Sequence, residues 1–231
     1  RSSDLAKGRL PDIVAVGNRP LGKSQLIEPR LAGVAPFPQD LRAEHGFDTQ
    51  ADHLSLSPLL MESFLSLGQS IVQSKDFVKK NVGIWGEFFE APEKHADPES
   101  KVIETRLTKF LTLAFRRPVE KETLDRYVSF VTAKRAKGIS FEDSMKATAA
   151  AVIASPRFLY IYNADSQFEG AEALDPYSFA SRLSFFLWGS IPDEQLLFAA
   201  EAGLLENKQG IREEVRRMLK SKNLKRFCDA F

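Results

Sequence analysis

Asp97-Pro98-Glu99-Ser100-Lys101-Val102-Ile103-Glu104-Thr105-Arg106-Leu107-Thr108-Lys109-Phe110-Leu111-Thr112-Leu113-Ala114-Phe115-Arg116-Arg117-Pro118 decides the fold of this chain. An acidic residue set directly before a proline starts a helix, because the carboxylate can cap free backbone N–H groups and proline at the first helical position forfeits no hydrogen bond. Val102, Ile103, Phe110, Leu111, Ala114 and Phe115 then make one apolar stripe, and Pro118 ends it. A second helix follows from Glu120 to Lys137, with Leu124, Tyr127, Val128 and Val131 on one face and Gly138 as its C-terminal stop. So short a connection implies an antiparallel pair.

The same punctuation recurs on both sides. Ser57-Pro58 opens a helix with Leu60, Phe64, Leu67 and Ile71 on one face, and Ser140 with Asp143 resembles a capping box that opens an alanine-rich helix running to about Ile153. The small residues of that helix allow a neighbour to approach closely. Ser155-Pro156 breaks it, and the alternation of Phe158, Tyr160 and Tyr162 with Leu159 and Ile161 reads as extended or irregular, one aromatic helical turn being the alternative. Asp175-Pro176 opens a helix carrying Phe179, Leu183, Phe186 and Leu187 that gives way at Gly189. Pro192-Asp193 starts another, with Leu196, Leu197 and Ala200 inward and Gly203 closing it. From Lys208 to Lys220, Ile211, Val215, Met218 and Leu219 oppose Arg212, Arg216 and Lys220.

Residues 1–50 differ: five prolines and five glycines leave room only for loops and a short strand at Ile13–Val16. The expected fold is mainly α, packed short helices in a bundle-like arrangement with a loop-rich N-terminal portion. Three parts follow: 1–96, loop-rich with one or two helices; 97–165, a helical hairpin plus third helix; and 166–231, a further helical domain. The chain opens Arg1-Ser2-Ser3 with no basic-then-apolar leader, and Asn223–Phe231 reads as a helix still in progress, so it is expected to be a piece of a longer, processed protein.

Composition excludes several classes. With 231 residues, 43% hydrophobic and 27% charged, the chain can build a sizeable core, but its apolar runs fall short of the roughly 18 residues of a membrane span. Cys228 is the only cysteine, which excludes an internal disulfide and a thiolate metal cluster. A formal charge of +1 makes no global case for nucleic acid. The distribution is less even: residues 101–160 hold twelve Lys or Arg against six Asp or Glu, whereas residues 1–100 hold eleven against fourteen.

No nucleophile with its base and no phosphate loop is present, so no catalytic and no cofactor-binding residue is assigned and the question of enzyme activity stays open. His45, Asp48, Asp52 and His53 combine imidazole and carboxylate suited to zinc or iron, with His95 as a further ligand if the fold brings it close. Their spacing matches no compact site, and a polar loop is the simpler reading. Glu87 and Glu90 among Trp85, Phe88 and Phe89 resemble the paired carboxylates and aromatic platform of a polysaccharide-acting enzyme, against an amphipathic turn that packs Trp85 and Phe88 on the core. Arg116, Arg117 and Arg157 with Tyr160, Tyr162 and Trp188 would suit RNA or an anionic glycan; Arg116 and Arg117 would equally satisfy the last carbonyls of a helix. Phe185, Phe186 and Trp188 read as core rather than a cofactor cavity, and Cys228, with no histidine in the C-terminal half, as a small buried apolar residue.

With these motifs in place, the chain resembles the large planctomycete-type proteins built from domains of unknown function and commonly joined to a c-type cytochrome module. Gly46-Phe47-Asp48, Asp52 and Leu54-Ser55-Leu56-Ser57-Pro58 resemble the close of a first domain. Phe115-Arg116-Arg117-Pro118 through Ser155-Pro156-Arg157-Phe158-Leu159-Tyr160 resembles a second. Leu174-Asp175, Ala180-Ser181-Arg182-Leu183-Ser184, Phe186-Leu187-Trp188-Gly189-Ser190 and Pro192-Asp193 resemble the start of a third. The resemblance covers about residues 30–231. Asn18-Arg19 is at best a remnant of the family's opening helix, so the first domain is incomplete or divergent, and His45 and His53 are outside the family pattern.

The resemblance implies an exported, periplasmic protein in an electron-transfer context. Any haem c would sit in a module beyond this chain, whose residues contain no Cys-x-x-Cys-His. Its partners would be other domains of the same polypeptide or a cytochrome-containing assembly. The function expected is a helical scaffold or interaction region. The alternatives are an enzyme domain acting on a polysaccharide or other anionic polymer, through Trp85–Glu90, and a nucleic-acid-binding module, through the basic residues of 101–160.

Overall fold

A hydroxyl or carboxylate oxygen standing directly before a proline begins three of the described helices, at Ser57-Pro58, Ser155-Pro156 and Asp175-Pro176. The computed structural model describes residues 57–93, 98–161 and 174–225, all inside the unit Val34–Phe231. The Ile13–Val16 strand, the loops of 1–50, His45, Asp48, Asp52, His53, His95, Asp97, Tyr162, Cys228 and the last residues of the Asn223–Phe231 helix lie outside the described residues. In α1 (Pro58–Gln73), the Ser57 hydroxyl accepts the Leu60 N–H at 3.2 Å. In α2 (Glu99–Phe115), Pro98 is itself the N-cap, with ψ at 135°, so the helix begins one residue later than the Asp-Pro pattern suggests.

The hairpin partner α3 (Lys121–Ala136) ends before Gly138, whose φ is +80°. α4 (Phe141–Ile153) is capped by the Ser140 hydroxyl, which accepts the Asp143 N–H at 3.0 Å. Ser155-Pro156 does more than break α4: Ser155 caps a further single turn, α5 (Pro156–Leu159). Phe158 and Leu159 are therefore helical and the backbone becomes extended only at Tyr160, which corrects the extended stretch expected from 158 onward. Its cause is the same cap-before-proline pair, which terminates one helix and initiates the next.

Beyond the connection, α6 (Pro176–Trp188) starts on Asp175, whose Oδ1 accepts the Tyr177 and Ser178 N–H groups, each at 3.1 Å, and stops at Gly189 with φ +56°. Asp193 caps α7 (Glu194–Glu201) by accepting the Leu196 N–H at 2.9 Å. After a 3-10 turn at Leu204–Glu206, Asn207 caps α8 (Lys208–Leu219). A π turn at Trp85–Phe89 and a 3-10 turn at Lys222–Leu224 complete the elements. The fold is mainly α, without a strand among the described residues. Among them, too, no helix is long and apolar enough to cross a membrane.

Two apolar clusters hold these helices. The first gathers Phe88, Phe89, Ile103, Leu107, Leu111, Val131, Phe141 and Met145, with Phe88 stacked on Phe110 at 4.3 Å between ring centroids. Phe89, Ile103, Leu107, Leu111, Val131 and Met145 are fully buried and together contribute of order 10 kcal/mol of transfer free energy before the entropy of ordering them is subtracted. α1 lies against α4 so closely that a Cβ on Gly68 would stand 2.9 Å from the Ala150 carbonyl oxygen. The covered seam of α1 runs through Gly68 and Val72, while Leu60, Phe64, Leu67 and Ile71 are only half-buried.

The second cluster joins Ala180, Leu187, Trp188, Leu196, Ala200, Leu205 and Met218. Here the stripe expected on α6 is corrected at Phe186, while Leu187 belongs to the cluster and Phe179 and Leu183 pack against it. The inner face of α6 carries Ser178, Ala180, Ser181 and Ser184 with Leu187 and Trp188, whereas Phe186 is 62% exposed and Phe179 and Leu183 are half-buried. Close packing selects the small residues, and the Ser181 hydroxyl meets its need by donating to the Tyr177 carbonyl at 2.8 Å.

Candidate interaction site

Arg116 ends α2 in a left-handed conformation, φ +60°, the only positive φ at a non-glycine among the described residues. A side chain there costs about 1 kcal/mol in backbone strain. Its guanidinium, 4% exposed as a residue, offsets that cost by donating to the carbonyls of Ala114, Arg157, Phe158 and Tyr160. The last three are the orphan carbonyls at the end of α5, so one buried cation finishes two helices. Arg117 reaches in the other direction, donating to the Asp175 carboxylate at 3.4 Å and the Ser178 hydroxyl at 3.1 Å. Arg157 pairs with Glu120 at 3.1 Å, and the Trp188 indole, buried, donates to the Met218 carbonyl at 3.1 Å. Of the candidate basic and aromatic surface, then, the described arginines are all engaged. They bind the protein itself.

Glu87 and Glu90 separate in the same way. The π turn buries Trp85, Phe88 and Phe89 and leaves both carboxylates exposed, Glu87 on Lys109 at 3.0 Å and Glu90 on Lys79 at 2.8 Å. Arg106 donates to the Phe88 carbonyl at 3.2 Å and to that of Glu90, and its burial lowers its affinity for the proton. This is the amphipathic turn read beside the enzyme hypothesis. Lys146 sits over the rings of Trp85 and Phe77 at 5.0 and 5.6 Å, paired with Glu142 at 2.7 Å.

Arg217 stands outside the apolar pattern of α8, yet it ties that helix to the start of α7 and to the Trp188 ring. It grips Asp193 with two bonds, at 2.7 and 3.0 Å, reaches Glu214 at 2.7 Å and lies 5.5 Å from the centre of the Trp188 ring. The usable signals were the Asp193 cap and the Glu214 to Arg217 spacing of three. Arg135 makes a similar fork on Glu99, at 2.7 and 3.1 Å, tying α3 to the first turn of α2. Hydrogen bonding from Arg135 holds the Glu99 carboxyl below its ordinary range, against a smaller opposing effect of burial. Arg212, Arg216 and Lys220 lie exposed along α8, as a solvated face.

Where α2 faces α6 and α7, a groove of about 350 Å³ opens. Thr112, Leu113 and Pro118 form one side, and Tyr177, Leu197 and Phe198 the other. Lys109 spans its rim, bonded to Glu87 at 3.0 Å and to Glu194 at 3.1 Å, and those two hydrogen bonds raise its pKa. Glu201 lines the same groove; burial, then the charge of Glu201, raises the Tyr177 phenol. Such a volume, with apolar walls and few polar groups, suits the reception of a side chain or small ligand. No three His, Cys, Asp or Glu side chains among the described residues converge as metal ligands would.

Three stretches match known families. Residues 25–75 match a protein of unknown function, DUF1587; residues 103–163 match a protein of unknown function, DUF1595; and residues 174–231 match a protein of unknown function, DUF1592. Neither the curated proteins nor the solved structures contain a match to the chain.

Proposed function

We propose that this chain, which belongs to the multidomain family carrying the DUF1587, DUF1595 and DUF1592 domains in succession, is a helical scaffold and interaction region of an exported, cytochrome-linked protein. One observation carries the reading. The side chains best suited to chemistry, Arg116, Arg117, Arg217, Glu87 and Glu90, are engaged with backbone carbonyls, helix caps and ion pairs. Meanwhile Phe198, at 63% exposure, and the groove beside it face outward. An exposed aromatic ring at the edge of a groove supports association with another protein's side chain.

The division into 1–96, 97–165 and 166–231 belongs to the proposal, as do the periplasmic location and the electron-transfer setting, which rest on the resemblance stated above. This chain's residues do not fit a covalently attached haem, because Cys228 is a single thiol where Cys-x-x-Cys-His needs two. Any haem c would belong to another module or to a partner. The test is to tag the full-length protein in its native source, fractionate the cells and record the absorption spectrum of the captured material. A periplasmic complex with a haem c band supports the proposal; a cytoplasmic protein without haem overturns it.

A further inference from the structure

Glu201 and Phe198 stand three residues apart on α7, on the face that also brings Glu194 and Leu197 to the groove. Glu194 is paired with Lys109 and, at the start of α6, Asp175 is bonded to Arg117. Glu201 has no cation among the described residues. Next to it, Phe198 is 63% exposed, and Tyr177 is half-buried. Lys109 against Glu194 and Glu201 leaves the lining one negative charge in excess.

That combination is selective. An anion would meet like charge, and a wholly apolar ligand would desolvate Glu201 without giving it a partner. A cation on an apolar stem meets neither penalty: the ring faces attract it, the carboxylate takes a charge-assisted hydrogen bond, and apolar walls cover the methylenes. We propose that the groove receives a lysine or arginine side chain from a segment of a partner protein, its stem along Phe198 and Leu113 and its cation at Glu201 beside Tyr177. The inference rests on the scaffold reading and adds the chemistry of recognition.

The test uses the 231-residue chain, labelled for NMR at its tyrosines and phenylalanines. It is titrated with three acetylated pentapeptides that differ only in a central arginine, norleucine or glutamate. The arginine peptide is expected to shift the Tyr177 and Phe198 resonances and to bind about tenfold more tightly than the norleucine peptide, the equivalent of one charge-assisted contact. Glu201→Gln should remove that advantage, while Glu104→Gln, on the exposed face of α2, should retain it. Equal binding of arginine and norleucine peptides, preference for glutamate, or no shift at either ring with any peptide overturns the proposal. So does self-association abolished by Glu201→Gln, which would give the groove to a second copy. If the peptides fail while the native protein still captures a haem-containing assembly, only the groove chemistry falls. If capture fails while the arginine peptide binds, the scaffold context falls and the groove stands.

Discussion

Arg116 is where backbone strain and buried charge meet. Its left-handed φ favours glycine, but its guanidinium satisfies three carbonyls at the end of α5. Arg116→Ala keeps the strain and loses the donors, so it should cost about 3 kcal/mol in urea unfolding; Arg116→Gly should cost about 1 kcal/mol less, by relieving the strain. Equal stability of the two variants would show that the conformation carries no cost. Gly210 makes a complementary case, because a Cβ there would fall 2.0 Å from the Leu204 carbonyl oxygen. Gly210→Ala should therefore destabilise by about 3 kcal/mol or more, although alanine is the better helix former by about 1 kcal/mol. A rise in melting temperature would contradict that packing. The sequence marks the helix end near Arg116 plainly, through Pro118. That the arginine reaches α5 is not legible there, because the bond joins residues more than forty positions apart.

Helix starts were the most legible elements, since Ser57, Ser140, Asp175 and Asp193 act locally on N–H groups two or three residues on. Faces were less so. On α6 Phe186 points outward while Ser178, Ser181 and Ser184 point inward, because close approach between helices favours small side chains over large ones. The contact of α1 with α4 has the same logic, and Gly68→Ala should cost about 1–3 kcal/mol by pressing a methyl on backbone. Between α2 and α3, Glu99 supplies a pH dependence. Its folded pKa is depressed by Arg135, so its contribution is present above the ordinary carboxylate range, near about 4.3, and is lost as pH falls through the lower folded value. Stability measured from pH 6 down to pH 3 should fall less in Glu99→Gln than in the wild type; parallel curves would remove Glu99 from the acid response.

At the scale of the described molecule, two apolar clusters are linked by polar bonds across the groove and at the start of α6. Arg117 with Asp175 and Ser178, and Lys109 with Glu194, make that link. A double-mutant cycle with Arg117→Ala and Asp175→Asn, which keeps a capping oxygen, should give a coupling of about 1 kcal/mol; a value near zero would leave the link to the surrounding contacts. This bridging role, like the groove it borders, arises from tertiary packing and has no local signature in the sequence. What the motifs supplied was the family and the helices. In the proposed function the chain works by holding other protein on its surface. The most direct measurement is lysine cross-linking with mass spectrometry on the full-length protein in its native source. Cross-links from Lys109, at the groove rim, to residues beyond this chain or to a partner are the predicted result, and cross-links confined to the chain itself would contradict the account.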